Sequence, residues 1–96
     1  MAPLFAVRTS SHFQRLYRHL RKRRSELASR YAQALRVLQE DPYNHSRQHN
    51  IRTLEGGTHG EGQYRLRLGR WRFRYDIFEQ EVLLYYVGLR REETYR

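Results

Sequence analysis

Apolar residues recur at helical spacing in two segments near the start of the chain. In the first, one helix face follows the i, i+3, i+4, i+7 pattern with Phe13, Leu16, Tyr17 and Leu20. Residues 9–11, Thr-Ser-Ser, are of the types that cap helix N-termini. The second helix is predicted to start at Ser25, and its stripe is Leu27, Tyr31, Ala34, Leu35 and Leu38. It must end before Pro42, since proline stops helices.

Strand patterns occupy the start and the last third of the chain. Residues 4–8 (LFAVR) predict a short strand, and residues 51–54 (IRTL) are compatible with another. Apolar and polar residues alternate over 64–68 and 71–78, whereas residues 82–89 are continuously apolar, which is typical of a strand in the middle of a sheet. We therefore expect one α+β domain spanning the 96 residues, with a helical hairpin on one face of a small, mainly antiparallel twisted β-sheet (order β-α-α-β-β-β).

The segment YRLRLGRWRFRY, residues 64–75, predicts a β-hairpin with two chemically distinct faces. Gly69 and Arg70 fit a two-residue type II′ turn, which prefers glycine first. In that register the apolar side chains face the helices, namely Leu66, Leu68, Trp71, Phe73 and Tyr75. The open face then carries two directly opposed pairs, Arg65 with Arg74 and Arg67 with Arg72.

These opposed arginines are a candidate phosphate site. Like charges directly opposite each other destabilise a sheet, by a few tenths to ~1 kcal/mol per pair, and such conflicts are expected mainly at functional sites. Long arginines can also splay into water along apolar surface. Because there are two pairs and no acidic residue in the stretch, the pattern favours phosphate binding by the guanidinium groups.

The net charge supports an anionic partner. The formal charge is +9, and nucleic acid or an acidic protein segment would complement it. Codon bias accounts for much of the excess of arginine over the single lysine, Lys22, but not for the net charge. The start of the chain lacks the pattern of a signal peptide, and no apolar run approaches the ~20 residues of a membrane span. We therefore expect a cytoplasmic protein that does not contact a membrane.

The polar segment between the second helix and the hairpin offers no metal site by its spacing. His45, His49 and His59 lie four and ten residues apart, which matches no ligand motif, and there is no cysteine. Residues 56–62 (GGTHGEG) match neither phosphate-loop pattern. We expect a loop here, and neither a metal nor an organic cofactor.

The end of the chain adds two candidate residues. If the last strand pairs antiparallel with residues 71–78, Arg90 reaches the end of the arginine-bearing face and Tyr95 follows it. Clustered guanidinium groups would lower the pKa of the Tyr95 phenol and allow it to donate or relay a proton. A terminal tyrosine that only packs or frays fits the spacing equally well.

The motifs IRTLEG, YRLRLGRWRFRYDI and VGLRREETYR, in this order of elements, resemble the RelE/ParE superfamily of type II toxins. RelE-like members cut messenger RNA on the ribosome without a metal, by attack of a 2′-hydroxyl that leaves a 2′,3′-cyclic phosphate. The resemblance implies transition-state stabilisation by Arg67, Arg72 and Arg90, with Tyr95 stacking on a base or assisting proton transfer. The phosphates of the RNA substrate are then expected to be bound by Arg65, Arg70 and Arg74.

One departure from the RelE pattern concerns the general base. RelE has lysines on the first hairpin strand, where this chain has Arg65 and Arg67, and an arginine does not lose its proton at ordinary pH. Glu55, His59 and Glu61 are nearby alternatives on the loop, and the base is unassigned.

Three functions are open. The first is a ribosome-dependent mRNA endoribonuclease, the second is a ParE-like inhibitor of DNA gyrase without nuclease activity, and the third is an inactive RNA- or ribosome-binding relative. In each, the resemblance implies an antitoxin with an acidic or amphipathic segment, in a toxin–antitoxin hetero-oligomer. The endoribonuclease would also bind mRNA on the ribosome.

Overall fold

The helices and strands follow the predicted β-α-α-β-β-β order, except that the short strand suggested by residues 51–54 is also formed. A computed structural model describes residues 4–54 and 62–89 of the chain. Within them the elements are β1 (Ala6–Thr9), α1 (Ser11–Arg23), α2 (Glu26–Glu40), β2 (Ile51–Thr53), β3 (Tyr64–Leu68), β4 (Trp71–Phe78) and β5 (Glu81–Leu89). The strands of this part of the chain form one sheet in the order β1-β5-β4-β3-β2. Among the strands of the described residues, only the β1–β5 pair is parallel, and the predicted α+β fold is confirmed.

Both helices begin next to the predicted capping residues, and α2 ends before Pro42 as predicted. The Ser10 hydroxyl accepts a 3.0 Å hydrogen bond from the Phe13 backbone N–H, which caps α1. Arg21, Lys22 and Arg23 occupy the last turn of α1, where cations interact favourably with the helix dipole. The second helix ends at Glu40, just before the buried Pro42.

The first strand starts later than residues 4–8 suggest. The backbone N–H groups of Leu4 and Phe5 both donate to the Gln39 carbonyl, at 3.0 and 3.1 Å. These two residues therefore complete the C-terminal end of α2 instead of extending the sheet. Strand β1 then runs from Ala6 to Thr9, in parallel register with β5.

The core lies between the helices and one face of the sheet. Its buried apolar residues are Phe13, Leu20, Leu27, Ala34, Leu38, Leu66, Trp71, Phe73, Tyr75, Val82, Leu84, Val87 and Leu89. The continuously apolar β5 lies between β1 and β4, as predicted for a strand in the middle of the sheet. Burial of the stripes of both helices and of one sheet face supplies the hydrophobic stabilisation.

No helix in residues 4–54 and 62–89 is long and apolar enough to cross a membrane.

Candidate nucleic-acid interface

The β3–β4 hairpin has the predicted register. Leu68 is opposite Trp71, and the pairing continues without a shift to Tyr64 opposite Tyr75. Gly69 has a φ of +62° and Arg70 does not have a positive φ, as a type II′ turn requires. The apolar residues of the hairpin pack toward the helices, and Trp71 is 1% exposed.

The opposite side of the sheet carries a set of side chains that we call the arginine face: Arg52, Arg65, Arg67, Arg72 and Arg74. Arg65 on β3 is opposite Arg52 on β2 and opposite Arg74 on β4. Arg67 on β3 is opposite Arg72 on β4. Paired residues point to the same side of a sheet, and neighbouring strands lie only ~4.8 Å apart. Three pairs of like-charged residues are therefore neighbours across the strands.

Arg52 was missing from the sequence-based prediction. The IRTL segment was identified only as a possible strand, and the long loop after it leaves its register with β3 open. The structure pairs Arg52 with Arg65, which adds one arginine to the two predicted pairs. The only signal in the sequence is that Arg52 follows the apolar Ile51, since neighbouring residues of a strand point to opposite sides of the sheet.

The charges of the arginine face are only partly compensated within the protein. Arg67 is half-buried and Arg52 is exposed. Within residues 4–54 and 62–89, the ion pairs are Arg8 with Glu81 and Arg70 with Glu26, and His49 also lies beside Asp41. None of them involves Arg52 or Arg67, so no acidic side chain of these described residues pairs with either guanidinium group.

Arg74 and the fully buried Asp76 bind the chain as it enters β3. The Arg74 guanidinium donates two hydrogen bonds, at 3.0 and 3.2 Å, to the Gly62 carbonyl. The Asp76 carboxylate accepts from the backbone N–H groups of Gly62 (2.7 Å) and Gln63 (3.0 Å). Gly62 has a φ of +88°, and a Cβ there would lie 2.7 Å from Arg74 Cβ, so glycine is required.

Strand β5 contributes a tyrosine beside the arginines. A bulge shifts the pairing so that Arg74 is opposite Tyr86 while Tyr75 is opposite Leu84. Gly88 is opposite Arg72, and a Cβ on it would collide with the Tyr86 hydroxyl. The Tyr86 ring therefore lies along the strand over Gly88, and its hydroxyl is near the Arg72 position. Bulges of this kind are frequent next to functional sites.

Arg70 is not brought together with the other predicted phosphate-binding residues. Its guanidinium donates to Glu26 at the start of α2, at 2.8 and 3.2 Å, and Trp71 Nε1 donates to the same carboxylate oxygen at 3.3 Å. The hydrogen bond from Arg70, opposed by desolvation and assisted by the one from Trp71, lowers the pKa of Glu26. Arg70 thus anchors the hairpin tip to the helix layer.

Comparison with known proteins identifies the family. A model of the family described as "ParE toxin of type II toxin-antitoxin system, parDE" matches residues 4–94. The chain belongs to this toxin family. This confirms the RelE/ParE superfamily that the hairpin motifs indicated. No curated protein and no solved structure matched the chain.

In this toxin, several predicted site residues lie outside the described residues. They are the predicted catalytic Arg90 and Tyr95 and the possible bases Glu55, His59 and Glu61. Asp76 lies among the arginines, but its carboxylate is buried and accepts two backbone hydrogen bonds, which is the environment of a structural acceptor. The general base of a nuclease reaction is therefore still unassigned.

The histidines of the toxin's loop between α2 and β2 have structural neighbours. His45 stacks on Tyr43 with ring centroids 5.5 Å apart, and His49 Nε2 lies 3.8 Å from an Asp41 oxygen. No group of three or more His, Asp or Glu side chains able to hold a metal ion occurs in the described part of the chain.

Proposed function

We propose that this toxin is an mRNA endoribonuclease that acts on the ribosome and binds its substrate through the arginine face. The observation that carries the proposal is the alignment of Arg52, Arg65 and Arg74 across three strands, beside the pair formed by Arg67 and Arg72. A sheet gains nothing from this repulsion by itself. A sugar–phosphate chain would neutralise it with charge-assisted hydrogen bonds.

The reaction follows from the resemblance to RelE-like enzymes. The substrate's 2′-oxygen loses its proton and bonds to the adjacent phosphorus, and the bond from phosphorus to the 5′-oxygen of the next nucleotide breaks. That 5′-oxygen takes up a proton, and a 2′,3′-cyclic phosphate remains. Arg67 and Arg72, with Arg90, would stabilise the charge that accumulates on the phosphoryl oxygens. Tyr95 would stack on a base or assist proton transfer, and Arg65 and Arg74 would bind flanking phosphates.

Membership in the family implies a cognate antitoxin. We propose that its inhibitory segment is acidic or amphipathic, because the arginine face and the basic end of α1 both favour a negatively charged partner. A segment lying on the arginine face would relieve the same repulsion as RNA does. Inhibition would then be a competition for one set of guanidinium groups.

A second function, inhibition of DNA gyrase, is favoured by two observations. The matching family model is that of ParE toxins, and the first hairpin strand has arginines where RelE has the lysines that can act as bases. In that case the arginine face would bind protein or DNA, and RNA would stay intact.

One experiment distinguishes the two. The toxin is induced briefly, new 5′ ends are mapped on translated mRNA, and gyrase-dependent DNA breaks are measured in the same cultures. We expect cuts in mRNA that disappear in Arg72→Ala and weaken in Tyr95→Phe. Arg15→Gln, which removes an exposed arginine of α1, is the matched control and should cut normally. Intact mRNA together with accumulating DNA breaks would establish the second function instead.

A further inference from the structure

A groove of about 470 Å³ lies at the edge of the sheet beside α2, and Arg67 of the arginine face is among the residues that line it. It lies between α2 and residues 48–50, beside β3 beyond the end of β2, where the Arg67 backbone N–H donates to the Asn50 carbonyl at 2.9 Å. Arg67 belongs both to this groove and to the arginine face. The volume is in the range of sites that hold small ligands.

One wall of the groove carries a donor and an acceptor of opposite charge. Arg36 and Glu40 lie four residues apart on α2, so both side chains project from the same helix face. Both are exposed, and within the described residues no ion pair joins them or links either one to another side chain. Their hydrogen-bonding groups are thus available to a ligand.

The opposite wall is held in place by its own hydrogen bonds. The Asn44 side chain donates to the His49 carbonyl (2.9 Å) and accepts from the His49 N–H (3.1 Å). The Gln48 N–H donates to the Ser46 hydroxyl at 3.2 Å. Asn44 and Arg47 adopt positive φ angles of 59° and 60°. Asparagine tolerates this conformation, whereas it is costly for Arg47 and is often retained at functional sites. A ligand would not have to order this wall.

The lining of the groove fits a nucleobase better than a phosphate. A carboxylate such as Glu40 repels phosphate, whereas a base presents both donors and acceptors along its edge. Val37 and Leu68 add apolar surface to the lining, which suits the flat faces of a ring. Guanine is the best match, since its N1–H and N2–H groups can donate to one carboxylate while Arg is the usual partner of its O6 and N7 atoms.

We propose that this groove is a guanine-binding subsite, with Arg36 and Glu40 reading the base. The inference rests on the proposed function, because the base belongs to the RNA strand whose phosphates bind the arginine face. Arg67, shared by the groove and the face, places the guanine next to the phosphate that Arg67 contacts. The subsite would give the toxin a sequence preference that contacts with the sugar–phosphate backbone of the RNA cannot supply.

The test is direct binding of four fluorescent single-stranded RNA oligonucleotides, identical except for one central G, A, C or U in a uridine tract. Fluorescence anisotropy with the whole wild-type chain should show about tenfold tighter binding of the G oligonucleotide, the discrimination expected of one bidentate pair. Glu40→Gln and Arg36→Lys should each reduce the ratio toward one. Arg36→Lys retains the charge but loses the planar fork, so affinity for the U oligonucleotide should stay within about twofold.

Glu79→Gln is the matched control, since Glu79 is an exposed carboxylate in the β4–β5 turn, and it should retain the preference for G. Equal binding of all four oligonucleotides, or a preference that survives in both groove variants, would overturn the guanine subsite and leave RNA binding by the arginine face intact. Failure of the proposed function has a different signature. In that case Arg67→Gln and Arg72→Gln would leave RNA affinity unchanged, whatever the ratio between bases.

Discussion

At the scale of single residues, Asp76 organises the entrance to the hairpin. Its carboxylate is fully buried, yet it accepts hydrogen bonds from the Gly62 and Gln63 N–H groups. Charge-assisted bonds of this kind are stronger than neutral ones. These bonds fix the backbone of Gly62, whose carbonyl accepts two hydrogen bonds from Arg74, two residues before Asp76 on β4. One acidic residue therefore helps to position an arginine of the basic surface.

Replacing Asp76 with Asn should destabilise the protein by about 1–3 kcal/mol. An Asn side chain has one acceptor oxygen, so its NH₂ group would face one of the two N–H donors. Urea unfolding followed by circular dichroism measures the change, with Glu79→Gln as the control. Equal unfolding midpoints for Asp76→Asn and the wild type would show that the two hydrogen bonds contribute nothing net.

Gly88 is required by the position of Tyr86. An alanine Cβ at residue 88 would collide with the Tyr86 hydroxyl, and Tyr86 is only 7% exposed, so its ring has little room to move. We expect Gly88→Ala to cost about 1–3 kcal/mol of stability, as overpacking of an interior does. In the Tyr86→Leu background the same change should cost much less. Unfolding of the four proteins of this double-mutant cycle measures the coupling, and purely additive costs would contradict the contact.

At the scale of elements, the tip of the β3–β4 hairpin is fastened to the start of α2. Glu26 accepts hydrogen bonds from Arg70 and Trp71 and also lies in the first turn of its helix, where an acidic residue suits the dipole. The bond from Arg70 is the main cause of the lowered pKa of Glu26. The contact links an exposed turn to the helix layer.

This contact should make stability depend on pH in acid. Because the pKa of Glu26 is lower in the folded than in the unfolded protein, its contribution is complete above the ordinary value of 4.5 and is lost as the pH falls through the folded pKa. Glu26→Gln should therefore lower the melting temperature at neutral pH, and the difference from wild type should shrink in acid. Thermal scans of both proteins across this range test it, and a difference that does not vary with pH would rule out a role for the charge.

The hairpin was predictable to the residue because its information is local. A two-residue turn beginning with Gly69 fixes the register, and the register fixes which side every arginine occupies. The pairing of β2 was not predictable, since a loop separates Arg52 from Arg65 and nothing local sets its register. The guanidinium of Arg70 could not be placed either, because its partner Glu26 is 44 residues away in the chain.

We expect the arginine face to reduce stability by an amount that can be measured at this scale. Replacing Arg67 with Thr removes the like charge opposite Arg72 and introduces a residue that favours strands. We expect the protein to gain from a few tenths to ~1 kcal/mol of stability and to lose RNA affinity. Chemical unfolding and RNA binding are measured on the same preparation, with Arg15→Gln as the control. A destabilised Arg67→Thr would show that the arginines support the sheet.

At the scale of the whole molecule, the formal charge of +9 predicts attraction to RNA that weakens with salt. Removing a residue that contacts a phosphate lowers the slope of log K against log salt by about 0.7 for a single strand. Arg67→Gln should therefore reduce the slope by this amount, whereas Arg15→Gln, on α1, should leave it unchanged. Titrations at several salt concentrations provide the slopes. Equal reductions in both variants would assign binding to net charge alone.

The opposed arginines also bear on how such a toxin can be lost in evolution. In the proposed function, a change that silences the toxin by removing one of two facing arginines would also relieve the repulsion in the sheet. Inactive descendants would accumulate and fold at least as well as their parent, so a population that loses its antitoxin has a short mutational path to survival.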